Sequence, residues 1–324
     1  MPPPPAPLRI LVTGATGYVG SRLVAALVGD GHHVRAASRT TSRTADFPWH
    51  DDVETVELDV ADAEQVARAV EGVDAVVYLV HAMDGDDFVR VDREHAERMA
   101  AACSRAGVGH LVYLSGLVPH GELSDHLRSR LQVEEVFLGS DVPTTVLRAA
   151  MVIGAGSTSY ELLRRLSERV PLLTPVPGWM RRRLQPVAVE DVLEVFRAVL
   201  ATGPRDTHYD VGGDEVLTYP ELLALYADVA GLRRRRVLVP GLSERLVGLA
   251  CARISGLSRT EVVSLVASLR HDMVCQEDVV RREVLDPGFE FTGVREALVR
   301  SRAGGRDGTA ADGDAQAAAT TDPA

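Results

Sequence analysis

The sequence predicts an α/β fold: a doubly wound parallel sheet with a smaller, mostly helical C-terminal substrate lobe. Three observations predict it. Short apolar runs alternate with helical stretches through the first half, a glycine-spaced turn joins the first run to the first helix, and helix signals outnumber strand signals in the second half. At 324 residues the chain exceeds the roughly 100 to 200 of a common single domain, so one large α/β unit or two linked lobes both fit.

Each element follows from its local pattern. Residues 8–13 are an apolar run ending at glycine, and Val19, Leu23 and Leu27 then recur every fourth residue, which is a strand followed by a helix. Further strands are expected at 34–38, 53–59, 75–80, 111–115 and 144–149, with helices at 62–70, 87–106 and 125–138. In the second half, Val192, Val195, Phe196 and Val199 share one face of a helix over 191–200. Thr218 with Glu221 three residues on reads as a capping box for a helix closed by Gly231, and 242–269 reads as helices with a glycine break. The division expected is a proline-rich lead-in (1–7), a dinucleotide-binding domain (8–150), a substrate lobe with segments returning to the sheet (151–302) and a disordered Ala/Gly/Asp/Thr tail (303–324).

The glycine turn reads Thr13-Gly14-Ala15-Thr16-Gly17-Tyr18-Val19-Gly20, between strand and helix, which is the context of a Rossmann-type dinucleotide site. Gly14 permits the tight turn, Gly17 lets backbone N–H groups approach a pyrophosphate, and Gly20 lets the helix lie close to the sheet. At the end of the second strand, where an acidic residue would hold the ribose of NAD, stand Ser38 and Arg39, followed by Thr40, Thr41, Ser42 and Arg43. Guanidinium forks and hydroxyls suit a 2′-phosphate, so NADP(H) is favoured over NAD(H). Asp59 and Val60, ending the third strand, are expected beside the adenine, and Val80 and His81 end the fourth strand on the nicotinamide side.

Composition excludes several classes. With 35 basic and 46 acidic residues the net charge is −11, which disfavours general nucleic-acid binding. Three scattered cysteines form no CxxC pair or dense framework and fit a reducing cytoplasm. The first residues do not read as a signal peptide, and no apolar run reaches the length of a membrane span. Every basic residue is arginine, so no lysine amine takes part in any mechanism. No His, Cys and carboxylate cluster has metal-ligand spacing, and no metal is expected.

From Leu8 to Arg300 the chain resembles the extended and atypical, NmrA-like branch of the short-chain dehydrogenase/reductase superfamily. The resemblance rests on TGATGYVG, LDV at 58–60, YLVHAM at 78–83, YLSGLVP at 113–119, LRAAMVIG at 147–154 and QPVAVEDV at 185–192, the segment that usually returns the chain to the sheet. In that superfamily a serine holds the substrate oxygen, and a Tyr-x-x-x-Lys pair supplies the proton and binds the nicotinamide ribose. Ser115 matches the serine, but His126-Leu127-Arg128-Ser129-Arg130 stands where the pair is expected. His126 and Arg130 share one helix face at i, i+4. An imidazole near 6.5 exchanges a proton at neutral pH without help, and Arg130 offers hydrogen bonds and fixed charge to the ribose. Two readings stand for this pair: catalysis with Ser115, or cofactor binding alone. His81 is read as a second proton donor or a structural hydrogen-bonded residue, while Tyr113, inside a strand, does not replace the missing tyrosine.

Met151, Trp179 and Met180 are candidates for an apolar pocket, and the clusters Arg181–Arg183 and Arg233–Arg236 read as solvated faces or as sites for an anionic group or partner. The function expected is an NADP-dependent oxidoreductase reducing a carbonyl or quinone-like small molecule. The alternatives are a non-catalytic NADP(H)-binding sensor or assembly protein, with a protein partner or a homo-oligomer, and thirdly a nucleotide-sugar epimerase or dehydratase.

Overall fold

The computed structural model describes residues 6–81, 87–170, 173–303 and 314–322. Most of the proline-rich lead-in, and residues 304–313 of the tail, lie outside the described residues.

The chain starts with β1 (Arg9–Val12), α1 (Tyr18–Gly29), β2 (His33–Ser38), β3 (Glu54–Glu57), α2 (Ala63–Val70), β4 (Ala75–Tyr78), α3 (Phe88–Ala106), β5 (His110–Gly116), α4 (Asp125–Leu138) and β6 (Thr144–Ala149). Asp62 caps α2 by accepting from the Glu64 and Gln65 amides, and Gly107 ends α3 in the left-handed region at φ 69°. After β7 (Val152–Ile153) come α5 (Thr158–Arg169), β8 (Leu173–Pro177), β9 (Arg183–Leu184), β10 (Val187–Ala188), α6 (Val189–Thr202), β11 (Thr207–Val211), β12 (Leu217–Thr218) and α7 (Tyr219–Val229). The last elements are β13 (Arg235–Val239), α8 (Glu244–Ser255), α9 (Arg259–Ser268), α10 (Val279–Glu283) and α11 (Val294–Ala303). The capping box at Thr218 and Glu221 is present at the start of α7.

Seven strands form one parallel sheet in the order β11-β6-β5-β4-β1-β2-β3. The chain leaves β1 in one direction and returns at β4 to run in the other, so the topological switch point, where open α/β sheets bind ligands, lies between β1 and β4. The parallel strands are near-continuous apolar runs because both faces are covered. One core packs β1, α1 and α6 together, and a second packs α2, α3 and α4 on the opposite face. A third, built from α5, α7, α9 and α11, lies in the C-terminal half.

Two expectations are corrected. The segment QPVAVEDV does not itself rejoin the sheet: it forms the two-residue β10, paired with β7, and the start of α6. The seventh strand is β11, whose residues Thr207–Val211 pair in parallel with β6. Its apolar signal is short and interrupted by His208 and Asp210; the Asp210 carboxylate accepts from the Gln276 amide at 2.7 Å.

The tail is the second correction, because residues 314–322 pack against the body. Gln316 is fully buried, and its amide group donates to the Ile153 and Ala297 carbonyls and to Ser301. The Asp322 carboxylate meets the Arg22 guanidinium at 2.5 and 2.9 Å, and Arg22 also donates to the Ala315 and Ala317 carbonyls. A segment without large apolar residues is ordered here by polar groups that satisfy a buried arginine on α1, which a hydrophobicity argument does not register.

Candidate functional site

The glycine turn closes β1 against α1. Gly14 sits at φ 66°, left-handed, where a side chain would be strained. A Cβ on Gly20 would collide with the Gly14 carbonyl, lying 2.9 Å from its carbon, so only glycine lets the first turn of α1 lie across the loop. Gly17 is the N-cap of α1 with no side-chain cap, and no acidic residue occupies the first turn, which leaves the positive helix end open to an anion. Ala15 donates its amide to the Ala37 carbonyl, and the Thr16 and Ser38 hydroxyls lie 3.4 Å apart, tying the loop to the end of β2. The side chains of Tyr18 and Val19 turn inward: Val19 packs on the core and Tyr18 lies beneath Arg22, whose guanidinium carbon is 4.2 Å from the ring centroid.

Beyond β2, Arg39 and Arg43 are exposed, and their side chains make no hydrogen bond or ion pair with a described residue. Asp59 is exposed, its carboxylate accepting from the Ala61 amide at 2.9 Å, and the Val60 carbonyl accepts from Arg98 at 2.8 Å. Both residues follow β3 rather than ending it, because the strand stops at Glu57. Val80 lies against the glycine loop, 3.6 Å from where a Gly14 Cβ would stand.

The other wall is made by β5 and α4. Ser124 caps α4, the Ser129 hydroxyl donates to the buried Asp92 carboxylate of α3 at 2.6 Å, and Glu134 takes Arg148 of β6 on both oxygens. These bonds fix the helix face carrying His126 and Arg130 toward the carboxyl ends of the strands. Arg130 donates to the Leu114 carbonyl at 3.1 Å and to His81 Nε2. An arginine has only donors, so His81 accepts at Nε2 and carries its hydrogen on Nδ1, which is buried without a partner among the described residues. The Ser115 hydroxyl is likewise buried with no partner among the described residues. The structure thus brings Ser115, His126, Arg130 and His81 together at the carboxyl ends of β4 and β5.

One electrostatic expectation is overturned. Burial, reinforced by the Arg130 guanidinium, pushes the His126 imidazole down to about 3, and burial with Arg130 and His126 holds His81 well below its usual value. Both are neutral at physiological pH, so His126 does not titrate near neutrality. Burial pushes the Tyr113 phenol up to about 12, and its ring packs against Tyr78 and Phe137, in keeping with its place inside the sheet.

Ser115, His126 and Arg130 open into a cavity of about 250 Å³. Met151 after β6, Leu162 of α5, Tyr219 of α7, Leu265 and Leu269 of α9, and Met273 close it. Arg130 is the one permanent charge on this lining among the described residues. Of the three apolar candidates only Met151 lines it: Met180 is buried in the third core, and Trp179 donates its indole N–H to the Leu242 carbonyl. Sequence reading missed Tyr219, Leu265, Leu269 and Met273. The i, i+4 pair Leu265 and Leu269 was the available signal, but nothing local distinguishes a helix face on a cavity from one on a core.

Residues 14–171 match the profile of a family described as NAD(P)H-binding. The (4-alkanoyl-5-oxo-2,5-dihydrofuran-3-yl)methyl phosphate reductase of Streptomyces griseus is 32% identical over 231 residues, which span 68% of this chain and 74% of that protein. The chain belongs to this NAD(P)H-binding family of atypical short-chain dehydrogenases/reductases. It is also similar to the ceramide reductase of Caulobacter vibrioides, at 28% identity over 239 residues, 71% of this chain and 73% of that protein. In fold it matches a Citrobacter triphenylmethane reductase solved with NADP(H): the TM-score is 0.72 at 17% identity, over 90% of this chain and 99% of that one. The family binds a nicotinamide dinucleotide, and the residues here fit that group: an uncapped helix end for the pyrophosphate, and unpartnered buried polar atoms on Ser115 and His81 where β4 and β5 end.

Proposed function

We propose that the protein is an NADP(H)-dependent reductase of an apolar carbonyl or quinone-like small molecule. The observation that carries this reading is the Ser115 hydroxyl, buried without a partner on the wall of an apolar cavity. Leaving such a group unsatisfied costs about 1–3 kcal/mol, and a substrate oxygen would remove that cost. The relatives named as reductases support the reaction type, and the one named for a ceramide supports the apolar substrate.

NADP(H) is preferred over NAD(H) because the Arg39 and Arg43 side chains stand free beyond β2, in a stretch, residues 38–45, that carries no carboxylate to hold a ribose 2′-hydroxyl or repel a 2′-phosphate. Gly14 to Gly20 hold the pyrophosphate through backbone N–H groups, with Asp59 and Val60 beside the adenine and Val80 and His81 toward the nicotinamide. When bound, the nicotinamide supplies the hydride. Ser115 Oγ donates to the substrate oxygen and stabilises the charge that grows there. His126 acts as a neutral hydrogen-bond donor to the same oxygen, the role open to an imidazole whose pKa is depressed, and the proton completing the alcohol comes from solvent. Burial, reinforced by Arg130, keeps both histidines neutral, and Arg130 offers its remaining N–H groups to the nicotinamide ribose. The three unpaired cysteines fit a reducing compartment such as the cytoplasm.

The pH–rate profile of NADPH oxidation tests this assignment. A neutral donor gives kcat without an imidazole limb between about pH 5 and 8, whereas an imidazolium acid gives a limb near 6.5. His126→Ala is expected to lower kcat by about a hundredfold while NADPH binding is retained. The depressed His126 also favours a second reading, a non-catalytic NADP(H)-binding sensor, which predicts tight binding and no turnover at any pH.

A further inference from the structure

Among the described residues, five of the seven exposed large apolar side chains lie within one stretch: Val237 (42% exposed), Leu238 (53%), Leu242 (36%), Leu246 (67%) and Ile254 (38%). The same region carries a concentrated charge. The face itself holds Arg245, Arg253 and Glu244, and Arg233–Arg236 and Arg259 flank it, in a chain of net charge −11. Arg245 and Arg253 are exposed and make no ion pair with a described residue. The fold gathers the stretch with the other arginine cluster. β13 pairs in parallel with β8, Leu238 opposite Val176, and the indole of Trp179, two residues before the exposed Arg181, donates to the Leu242 carbonyl at 2.9 Å.

This face adjoins the cavity. Arg270 at the end of α9 bonds Glu244 at the start of α8 at 3.0 Å, and the residue before it, Leu269, lines the cavity. Arg183 holds Asp272 through its backbone amide at 2.8 Å, and Met273, the next residue, is also on the cavity wall. The apolar, arginine-flanked face and the cavity therefore share the segment 269–273.

We propose that the face formed by residues 237–254 docks on an anionic lipid bilayer and sets the cavity beside that surface. Exposed apolar side chains next to arginines combine the two forces that hold a protein in the headgroup region: apolar insertion, and attraction to acidic lipids. A second copy of the chain is a poor occupant, because a twofold contact would bring the exposed Arg245 and Arg253 of one copy against those of the other. A nucleic acid would satisfy the arginines but give Leu238 and Leu246 no apolar partner. The acidic remainder of the chain turns away from an anionic surface and so fixes the orientation. No helix among the described residues is long and apolar enough to cross a membrane, so the association lies on the surface. The proposal stands without the hydride-transfer reading, since its test is binding alone.

The test is sedimentation of the full chain with vesicles of phosphatidylcholine containing phosphatidylglycerol, and with vesicles of phosphatidylcholine alone. Binding to the first, weakened by salt and much reduced on the second, is expected. The double variant Leu238→Asp, Leu246→Asp should lower partitioning by about tenfold or more with unchanged NADPH affinity, which also reports that the variant is folded. Arg245→Glu, Arg253→Glu leaves the apolar residues in place and should lower binding to anionic vesicles alone. Trp179 lies in the face whereas Trp49 is buried at 5% exposure, so brominated lipid should quench only part of the tryptophan emission. No partitioning, or partitioning that both variants leave unchanged, would overturn the proposal. So would a dimer that either variant dissociates, or binding to duplex DNA stronger than to anionic vesicles.

Discussion

The two walls of the cleft are made of different material. On the β1–α1 side the shape comes from backbone: Gly14 at positive φ, Gly20 against the Gly14 carbonyl, and an uncapped helix end. On the β5–α4 side it comes from side chains fixed by side chains, with Asp92 holding Ser129, Glu134 holding Arg148, and Arg130 holding His81. The first wall has no room for an added carbon at Gly20 and strains one at Gly14, and the second can lose single groups without collapsing. Changes on the first should abolish nucleotide binding, while changes on the second should spare binding and alter turnover.

The largest expected effect breaks the first wall. Gly20→Val places a branched side chain on the Gly14 carbonyl, and NADPH affinity measured by calorimetry should fall by at least about a hundredfold, since overpacking here must move the helix end itself. Ser115→Ala tests the second wall: kcat should drop by about 10²–10³-fold with the NADPH dissociation constant unchanged. A parallel loss of binding would show that the two walls are not separable.

A third change probes what ties the first wall to the tail. Arg22 on α1 and Asp322 in the tail form a buried pair, with side chains 7% and 9% exposed. Asp322→Ala leaves the guanidinium uncompensated and should cost about 3 kcal/mol, read as a fall of several degrees in Tm. Arg39→Ala with Arg43→Ala is a smaller perturbation. It should weaken NADPH binding by about tenfold and leave NADH unchanged if, as proposed, the exposed arginines hold the 2′-phosphate.

The smallest effect is spread over pH. His126 is held at about 3, His110 at about 4, and His81 well below its usual value, mainly by burial. Unfolded imidazoles titrate near 6.5, so the folded values are depressed and the stabilisation is complete above about pH 6.5 and lost as pH falls toward 4. Each histidine contributes a slope of about 1.4 kcal/mol per pH unit in that window. Asp191, raised to about 6 by burial, works in the opposite direction between pH 6 and 3.8 and offsets one of the three. Denaturant midpoints at pH 7 and pH 5 should therefore differ, with pH 7 the more stable.

The same contrast explains what could be read in the sequence. The glycine spacing, the strand and helix alternation to residue 149, the capping box at Thr218 and the shared face of His126 and Arg130 were legible, because each depends on neighbours a few residues apart, whereas Ser115 was placed beside them by the family resemblance. Membership in the NAD(P)H-binding family agrees with the motif reading. The cavity was not legible beyond Met151, because Leu162, Tyr219, Leu269 and Met273 come from separate elements and look like ordinary core residues until the fold aligns them. The depressed pKa of His126 was hidden for a related reason. Spacing placed Arg130 on the same face, but the burial that makes its charge count comes from tertiary packing. The tail escaped because its order rests on hydrogen bonds to Arg22, Ile153 and Ser301, 300 residues away in the first case.

Whether a neutral His126 and an unpartnered Ser115 serve hydride transfer from NADPH is tested most directly by NADPH oxidation against a panel of apolar ketones, aldehydes and quinones. The assay runs from pH 5 to 8 on a sample whose NADPH binding has been titrated by calorimetry. Turnover that is flat in kcat across that range and lost in Ser115→Ala with binding intact is the result expected. Tight NADPH binding with no oxidation across the panel would contradict that role.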